Sequence, residues 1–369
     1  MTCDFIALAN EGIQGLQPYQ AGKPIEELER ELGLSDVVKL ASNENPLGPP
    51  ASALAAYQAA AKQLHLYPDA GGFALKDALS NVLGVEAGQL TLGNGSNDVL
   101  DLLGRVFLDS DSSAVFSQYA FVVYPIAVQT AGARAIVTPA KDWGNDLDAM
   151  AAAIEDSTRL VFIANPNNPT GTWLSESALR SFMARVPESV VVVLDEAYAE
   201  YAAEPGYPDS IAMLADYPNL VVTRTFSKAY GLAGLRIGYS VSHPDIADLL
   251  NRVRAPFNVS MPAMTAAIAA LGDEVYLRRS REVNTSGMLQ LRRGFDELGL
   301  PYIESAGNFL TVEMPGEAMP YYDSLLRKGI IVRPIGVYGM PRHLRVTIGL
   351  EAENQRFLRA LREVLDELS

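Results

Sequence analysis

The feature that most constrains this chain is a set of short, uninterrupted runs rich in Val, Ile and Leu. They lie at Ala114–Phe116, Leu160–Ala164, Val190–Leu194 and Leu220–Thr223. Each is bounded by turn residues and shows little polar alternation. Strands covered on both faces read this way, whereas strands with one wet face alternate. Helical patterns lie between them, at Asn97–Leu108, Asp146–Ile154, Ser175–Val186 and Ser210–Ala215. Alternating strands and helices imply an α/β unit with a mostly parallel central sheet sandwiched by helices.

The chain of 369 residues is long for one compact domain, so about two are expected. The large unit is placed at residues 50–260. Residues 261–369 change character. A long amphipathic helix over Tyr276–Leu298 precedes strand candidates at Asn308–Val312, Ile330–Pro334 and His343–Thr347, and a helix at Glu353–Leu368 closes the chain. That order predicts a smaller α+β domain. Residues 1–49 carry turn signals and one helix, Pro24–Leu32, and are read as an arm or as part of the small domain.

Charge and composition narrow the function. Lys plus Arg is 29 against 44 Asp plus Glu, a formal charge of −15. An acidic surface disfavours nucleic acid and anionic membranes but leaves room for a locally basic pocket. The single cysteine, Cys3, excludes an internal disulfide and a cysteine zinc site. His65, His243 and His343 are far apart and show no metal-ligand spacing, so no metal is expected. The first residues lack a basic start and apolar run, and no segment reaches the roughly 18 apolar residues of a membrane span. A cytoplasmic enzyme is the expectation.

Four motifs carry chemistry. Thr225-Phe226-Ser227-Lys228 follows an apolar strand and leads to Arg236. A lysine among small residues and hydroxyls can be desolvated, which makes it a Schiff-base nucleophile. Thr225, Ser227 and Arg236 offer donors for a phosphate. Alone, Lys228 reads far more often as an exposed loop lysine than as a catalyst. Asp195 ends the run Val190–Leu194, which puts it at the carboxyl edge of a central strand, where open α/β sheets bind ligands. Tyr198 follows three residues later. An N-capping aspartate is the plainer alternative. Asn165–Gly171 contains two prolines and Asn168, whose amide can donate to a phenolate-like oxygen; it also reads as a tight turn. Gly93-Asn94-Gly95-Ser96-Asn97-Asp98 feeds a helix and would expose N–H groups to an anion, without the Lys-Ser/Thr ending of a P-loop.

In this order the four motifs resemble those of the fold-type I aminotransferases that use pyridoxal 5'-phosphate (PLP), with an aspartate-aminotransferase-like fold. Pro18-Tyr19-Gln20, Leu40 to Gly48, Tyr67-Pro68-Asp69 and Leu344 to Gly349 make the chain most similar to the histidinol-phosphate aminotransferase branch. The resemblance implies that Lys228 carries PLP and later shuttles a proton, and that Asp195 pairs with the pyridine nitrogen. It implies that Asn168 and Tyr198 bind the 3-oxygen, and that Gly95, Ser96 and Asn97 with Thr225, Ser227 and Arg236 hold the phosphate. Tyr119 would stack on the ring. Tyr67 would reach the cofactor phosphate of a neighbouring subunit, making the enzyme a homodimer. Arg345, aided by Arg333, Tyr19 and Asn45, would bind the substrates, histidinol phosphate and glutamate or 2-oxoglutarate. An aminotransferase of aromatic amino acids, or a PLP lyase or decarboxylase, would use the same scaffold.

Overall fold

A computed structural model of the chain describes residues 3–18 and 22–368. Its large sheet has seven strands: β1 (Leu90–Gly93), β2 (Ser113–Ser117), β3 (Arg134–Thr138), β4 (Thr158–Ala164), β5 (Val191–Asp195), β6 (Leu220–Thr225) and β7 (Gly238–Val241), in the spatial order β1-β7-β6-β5-β4-β2-β3. All neighbours are parallel except β7, which runs antiparallel to both β1 and β6. Alternate residues of each central strand enter different cores. Val191 and Val193 join one apolar cluster with Leu100 and Leu103, while Val192 and Leu194 join another with Leu179 and Phe182. Two covered faces explain why these strands lack polar alternation.

A second sheet forms from β8 (Tyr302–Ile303), β9 (Phe309–Glu313), β10 (Arg333–Pro334) and β11 (His343–Thr347), antiparallel in the order β8-β9-β11-β10. Helices Glu274–Leu298 and Glu351–Leu368 cover it. Their Leu291, Phe295, Phe357 and Leu361 are buried against Leu310, Leu344 and Val346. Val38–Lys39 pairs in parallel with Ile330–Ile331, and Val38 and Leu40 enter this same core.

The strands β1, β3 and β7 were not legible as apolar runs. The helix Met261–Leu271, which falls in the C-terminal unit under the 261–369 division, instead packs with the large sheet. Its Ala263, Met264, Ala266 and Ala267 share a core with Leu92, Phe226 and Tyr239. Tyr19 lies outside the described residues.

Phe295 is wholly buried in the small-unit core. Phe295→Ala is expected to lower unfolding stability by about 3–5 kcal/mol through lost burial and a residual cavity. Urea denaturation followed by fluorescence measures it, and a cost near zero contradicts this packing.

Candidate active site

The carboxyl ends of the parallel strands face a cavity of about 200 Å³ that both units line. β5 delivers Asp195, β6 runs into Ser227 and Lys228, and the loop after β4 delivers Asn168. From the small unit and the N-terminal segment come Arg333, Arg345, Tyr338, Ser42 and Asn43.

Lys228 donates from Nζ to the carbonyl of Ser42, 2.9 Å away, and lies 5.8 Å above the Tyr198 ring. Burial pushes its amine down to about 7, with Arg345, Arg236 and Lys39 acting in the same direction and Glu44 opposing. A large share of the amine is thus neutral near neutral pH, in the form that a nucleophile or base requires.

Asp195 is buried, and its oxygens accept from hydroxyls: Tyr124 at 2.9 Å and Thr223 at 3.0 Å. Burial raises its carboxyl to about 6, and Glu196 adds to the rise while the two hydroxyls oppose it. A buried acid held by neutral donors suits a cationic ligand group, because a nearby positive charge would restore its ionised form.

Tyr198 accepts at its hydroxyl from Asn43 (2.9 Å) and Asn168 (3.2 Å). Its own O–H remains free to donate. Burial lifts its pKa to about 12, so that proton stays in place at neutral pH.

The anion-binding elements meet because of β7. Gly238 pairs with Gly93 on one side and Thr225 on the other. This register brings the glycine turn beside the Thr225–Lys228 loop. A Cβ at Gly95, where φ is +81°, would fall 2.4 Å from the Arg236 guanidinium, so only glycine allows this approach. Arg236 itself donates to the hydroxyl of Ser227 at 3.3 Å, and Thr225 donates to the same hydroxyl at 3.0 Å. Ser96 and Asn97 open the following helix, Ser96–Phe107, and both line the cavity. Helix-end N–H groups, paired hydroxyls and a guanidinium make a site for a phosphate.

Arg345 donates to Asn168 Oδ1 at 2.6 Å and to the Ala41 carbonyl at 2.8 Å, while its buried Nε has no partner among the described residues. Arg333 stands directly opposite Arg345 across β10 and β11, and both line the cavity. Two like charges at opposed sheet positions repel, and a bound anion removes that cost.

Two assignments move. Tyr119 does not line the cavity. Its ring lies 5.3 Å from that of Trp143 and packs by Ile303, Ile335 and Met340, whereas Phe121 lines the cavity. Asn45 faces away: its amide bonds the carbonyl of Ala229 at 3.0 Å and the hydroxyl of Ser280 at 2.8 Å, fastening the N-terminal segment. Asn43, with φ +55°, is the asparagine of this stretch that reaches the site. Tyr67 is 82% exposed and stacks on Phe257 with ring centroids 4.6 Å apart, outside its own cavity. Tyr124, Asn43 and Tyr338 were not anticipated. For Tyr124 a signal existed, since a tyrosine within an apolar helix needs a partner for its hydroxyl.

The description "Aminotransferase class I and II" fits residues 35–361, and the chain belongs to that family. Among its relatives, a histidinol-phosphate aminotransferase of Pseudomonas fluorescens is 60% identical over 367 residues, spanning 99% of both chains. One of Nitrosococcus oceani is 56% identical, spanning 98% of each. The solved structure of the Sinorhizobium meliloti histidinol-phosphate aminotransferase in complex with pyridoxal 5'-phosphate matches with a TM-score of 0.91 and 34% identity, over 98% of each chain. The donors in the cavity fit that cofactor: a near-neutral lysine, a buried acid without a cation, a phenol with a free proton and a cradle for a phosphate.

The depressed Lys228 pKa has a consequence for the PLP-free protein. Between about 7 and the ordinary value of 10.5, the unfolded chain holds a proton that the folded one has lost. Stability relative to a Lys228→Met variant is therefore expected to rise with pH across this window. Thermal melts of both proteins from pH 6 to pH 10 test it; parallel curves contradict it.

Proposed function

We propose that the chain is a PLP-dependent histidinol-phosphate:2-oxoglutarate aminotransferase. The observation that carries the reading is the opposed pair Arg333 and Arg345 on the wall of the cavity that holds Lys228. Such a pair suits substrates that each bring an anionic group: a carboxylate on glutamate and a phosphate on the imidazole substrate. The 52–60% identity to histidinol-phosphate aminotransferases supports the same choice.

When bound, PLP supplies a protonated ring that draws off the electron pair released as the substrate's Cα–H bond breaks. Asp195, held by Tyr124 and Thr223, would keep that ring nitrogen protonated. Tyr198 and Asn168 would donate to the 3-oxygen, and Phe121 would pack on the ring face. Ser96, Asn97, Thr225, Ser227 and Arg236, with the Gly95 backbone, would hold the phosphate. Lys228 would anchor the cofactor and, once displaced by the incoming amine, take the α-proton at Nζ and return it one carbon away. Arg345 would fix the carboxylate so that the Cα–H bond lies within reach of Nζ. Water would then release 2-oxoglutarate, the amino group of glutamate staying behind on the cofactor until imidazole-acetol phosphate takes it up, gives back a water and leaves as histidinol phosphate.

A homodimer is part of the proposal. Leu64, Leu66, Tyr67 and Phe73 are exposed within one short stretch of chain, and Tyr67 stacks on the exposed Phe257; an identical subunit would cover these side chains. Tyr67 would there reach the other subunit's cofactor phosphate. No helix among the described residues is long and apolar enough to cross a membrane, and the proposed site of action is the cytoplasm.

Steady-state rates with 2-oxoglutarate are expected to favour histidinol phosphate over phenylalanine in kcat/KM by on the order of a hundredfold, because the single carboxylate of phenylalanine cannot engage both guanidinium groups as a dianionic phosphate can. Equal rates would make the enzyme an aromatic aminotransferase. Release of carbon dioxide without a 2-oxo acid would make it a decarboxylase. Arg345→Lys is expected to raise the KM for glutamate about tenfold or more, since an ammonium cannot reproduce the forked contact. An unchanged KM removes Arg345 from the substrate site.

A further inference from the structure

One network outside the cavity joins two features that the proposed function uses separately: the glycine turn of a subunit's own site and the turn that carries Tyr67 toward the other site. Arg254 lies between them. It donates from one terminal nitrogen to the carbonyl of Ala70 at 2.5 Å, from the other to Asn258 Oδ1 at 3.1 Å, and from Nε to Asn251 Oδ1 at 2.9 Å. Asn258 passes the link on. Its amide donates to the Leu92 carbonyl at 3.0 Å and to Asp98 Oδ2 at 2.8 Å, and the same Asp98 oxygen accepts from the backbone N–H of Asn94 at 2.8 Å. Asn94 belongs to the glycine turn.

The Tyr67 side is equally tied down. Asp69 accepts from the N–H groups of Gly71 (2.9 Å) and Phe73 (2.7 Å), which freezes the turn. Gly72, with φ +63°, lets this turn lie on β1, where a Cβ would meet Leu92 at 2.3 Å. Phe257, adjacent to Asn258 and held at φ +57°, supplies the ring on which Tyr67 stacks. A non-glycine residue in that region costs energy and persists where its surroundings demand it.

We propose that Arg254, through Asn258 and Asp98, is a positioning residue that sets the reach of Tyr67 into the partner's cofactor site in register with the phosphate cradle of its own. The inference rests on the dimer proposed above. Arg254 forks between Ala70 and Asn258, so the Tyr67 turn cannot shift without disturbing the glycine turn. One subunit's phosphate cradle and its contribution to the other site are thereby placed as one unit. A planar guanidinium holding three acceptors does this; an ammonium cannot.

The test uses hybrid dimers with one competent site. One subunit keeps Lys228; the other carries Lys228→Ala and so contributes only its Tyr67 to the competent site. PLP affinity at that site is read as cofactor that borohydride fixes to Lys228, which counts no PLP bound elsewhere. Arg254→Met on the Lys228→Ala subunit is expected to weaken PLP binding at the other subunit by about tenfold, the worth of a lost charge-assisted contact. Tyr67→Phe on the same subunit is expected to do likewise, and the two together no more than either alone. Arg254→Lys, which retains the charge and stem, is expected to fall in between and guards against a folding defect. An effect of Arg254→Met only when it shares a subunit with Lys228, no effect in either place, or additivity with Tyr67→Phe overturns the proposal while leaving the dimer intact. A wild-type chain that sediments as a monomer removes the dimer reading, and this inference with it.

Discussion

The site depends on keeping one ammonium out of water without a carboxylate beside it. Lys228 is buried, its Nζ donates to a carbonyl, and its charged neighbours are mostly cationic. Such a group gives up its proton near neutral pH rather than bear the cost of a buried charge. Neither unit creates this environment alone. The large sheet supplies Lys228 and Arg236, and the N-terminal segment and small sheet supply Ser42 and Arg345. Any movement that opened the cavity would rehydrate the amine and return it toward an ordinary lysine.

Asp195 is the counterpart. Burial drives the lysine down to about 7 and the carboxyl up to about 6, so the two protonation equilibria approach each other from opposite sides. Environments that displace the pKa values of neighbouring groups in this way mark acid–base sites. Around this pair the chain collects Arg236, Arg333 and Arg345, although its formal charge is −15. Attraction for anionic ligands is therefore local to the cavity, where the field of a few fixed guanidinium groups is least screened.

Much of the central architecture was legible in the residues. The runs that became β2, β4, β5 and β6 were continuous and apolar because both faces are covered. Asp195 and Lys228 stood out because each ends or follows such a run. The strands β1, β3 and β7 escaped notice. β7 reads Gly-Tyr-Ser-Val, with a polar residue buried in its middle, and β3 lies at the sheet edge with exposed positions. Neither produces an apolar run. The misplaced residues share another cause. Phe121 rather than Tyr119, and Asn43 rather than Asn45, face the cavity. Both pairs lie in irregular backbone, where no period of 2 or 3.6 says which side chain turns inward.

By itself, then, the order of residues determined an α/β sheet with a reactive lysine, a strand-end acid and a glycine turn at its carboxyl edge. These follow from local propensity and burial pattern, which are properties of contiguous segments. Tertiary structure alone decided what meets across long separations. The antiparallel insertion of β7 puts Gly93 beside Thr225. The fold of the helix Val123–Thr130 brings the Tyr124 hydroxyl to Asp195, and the register of β10 on β11 sets Arg333 against Arg345. Such meetings are fixed by how sheets pair and pack, and no single segment carries that information.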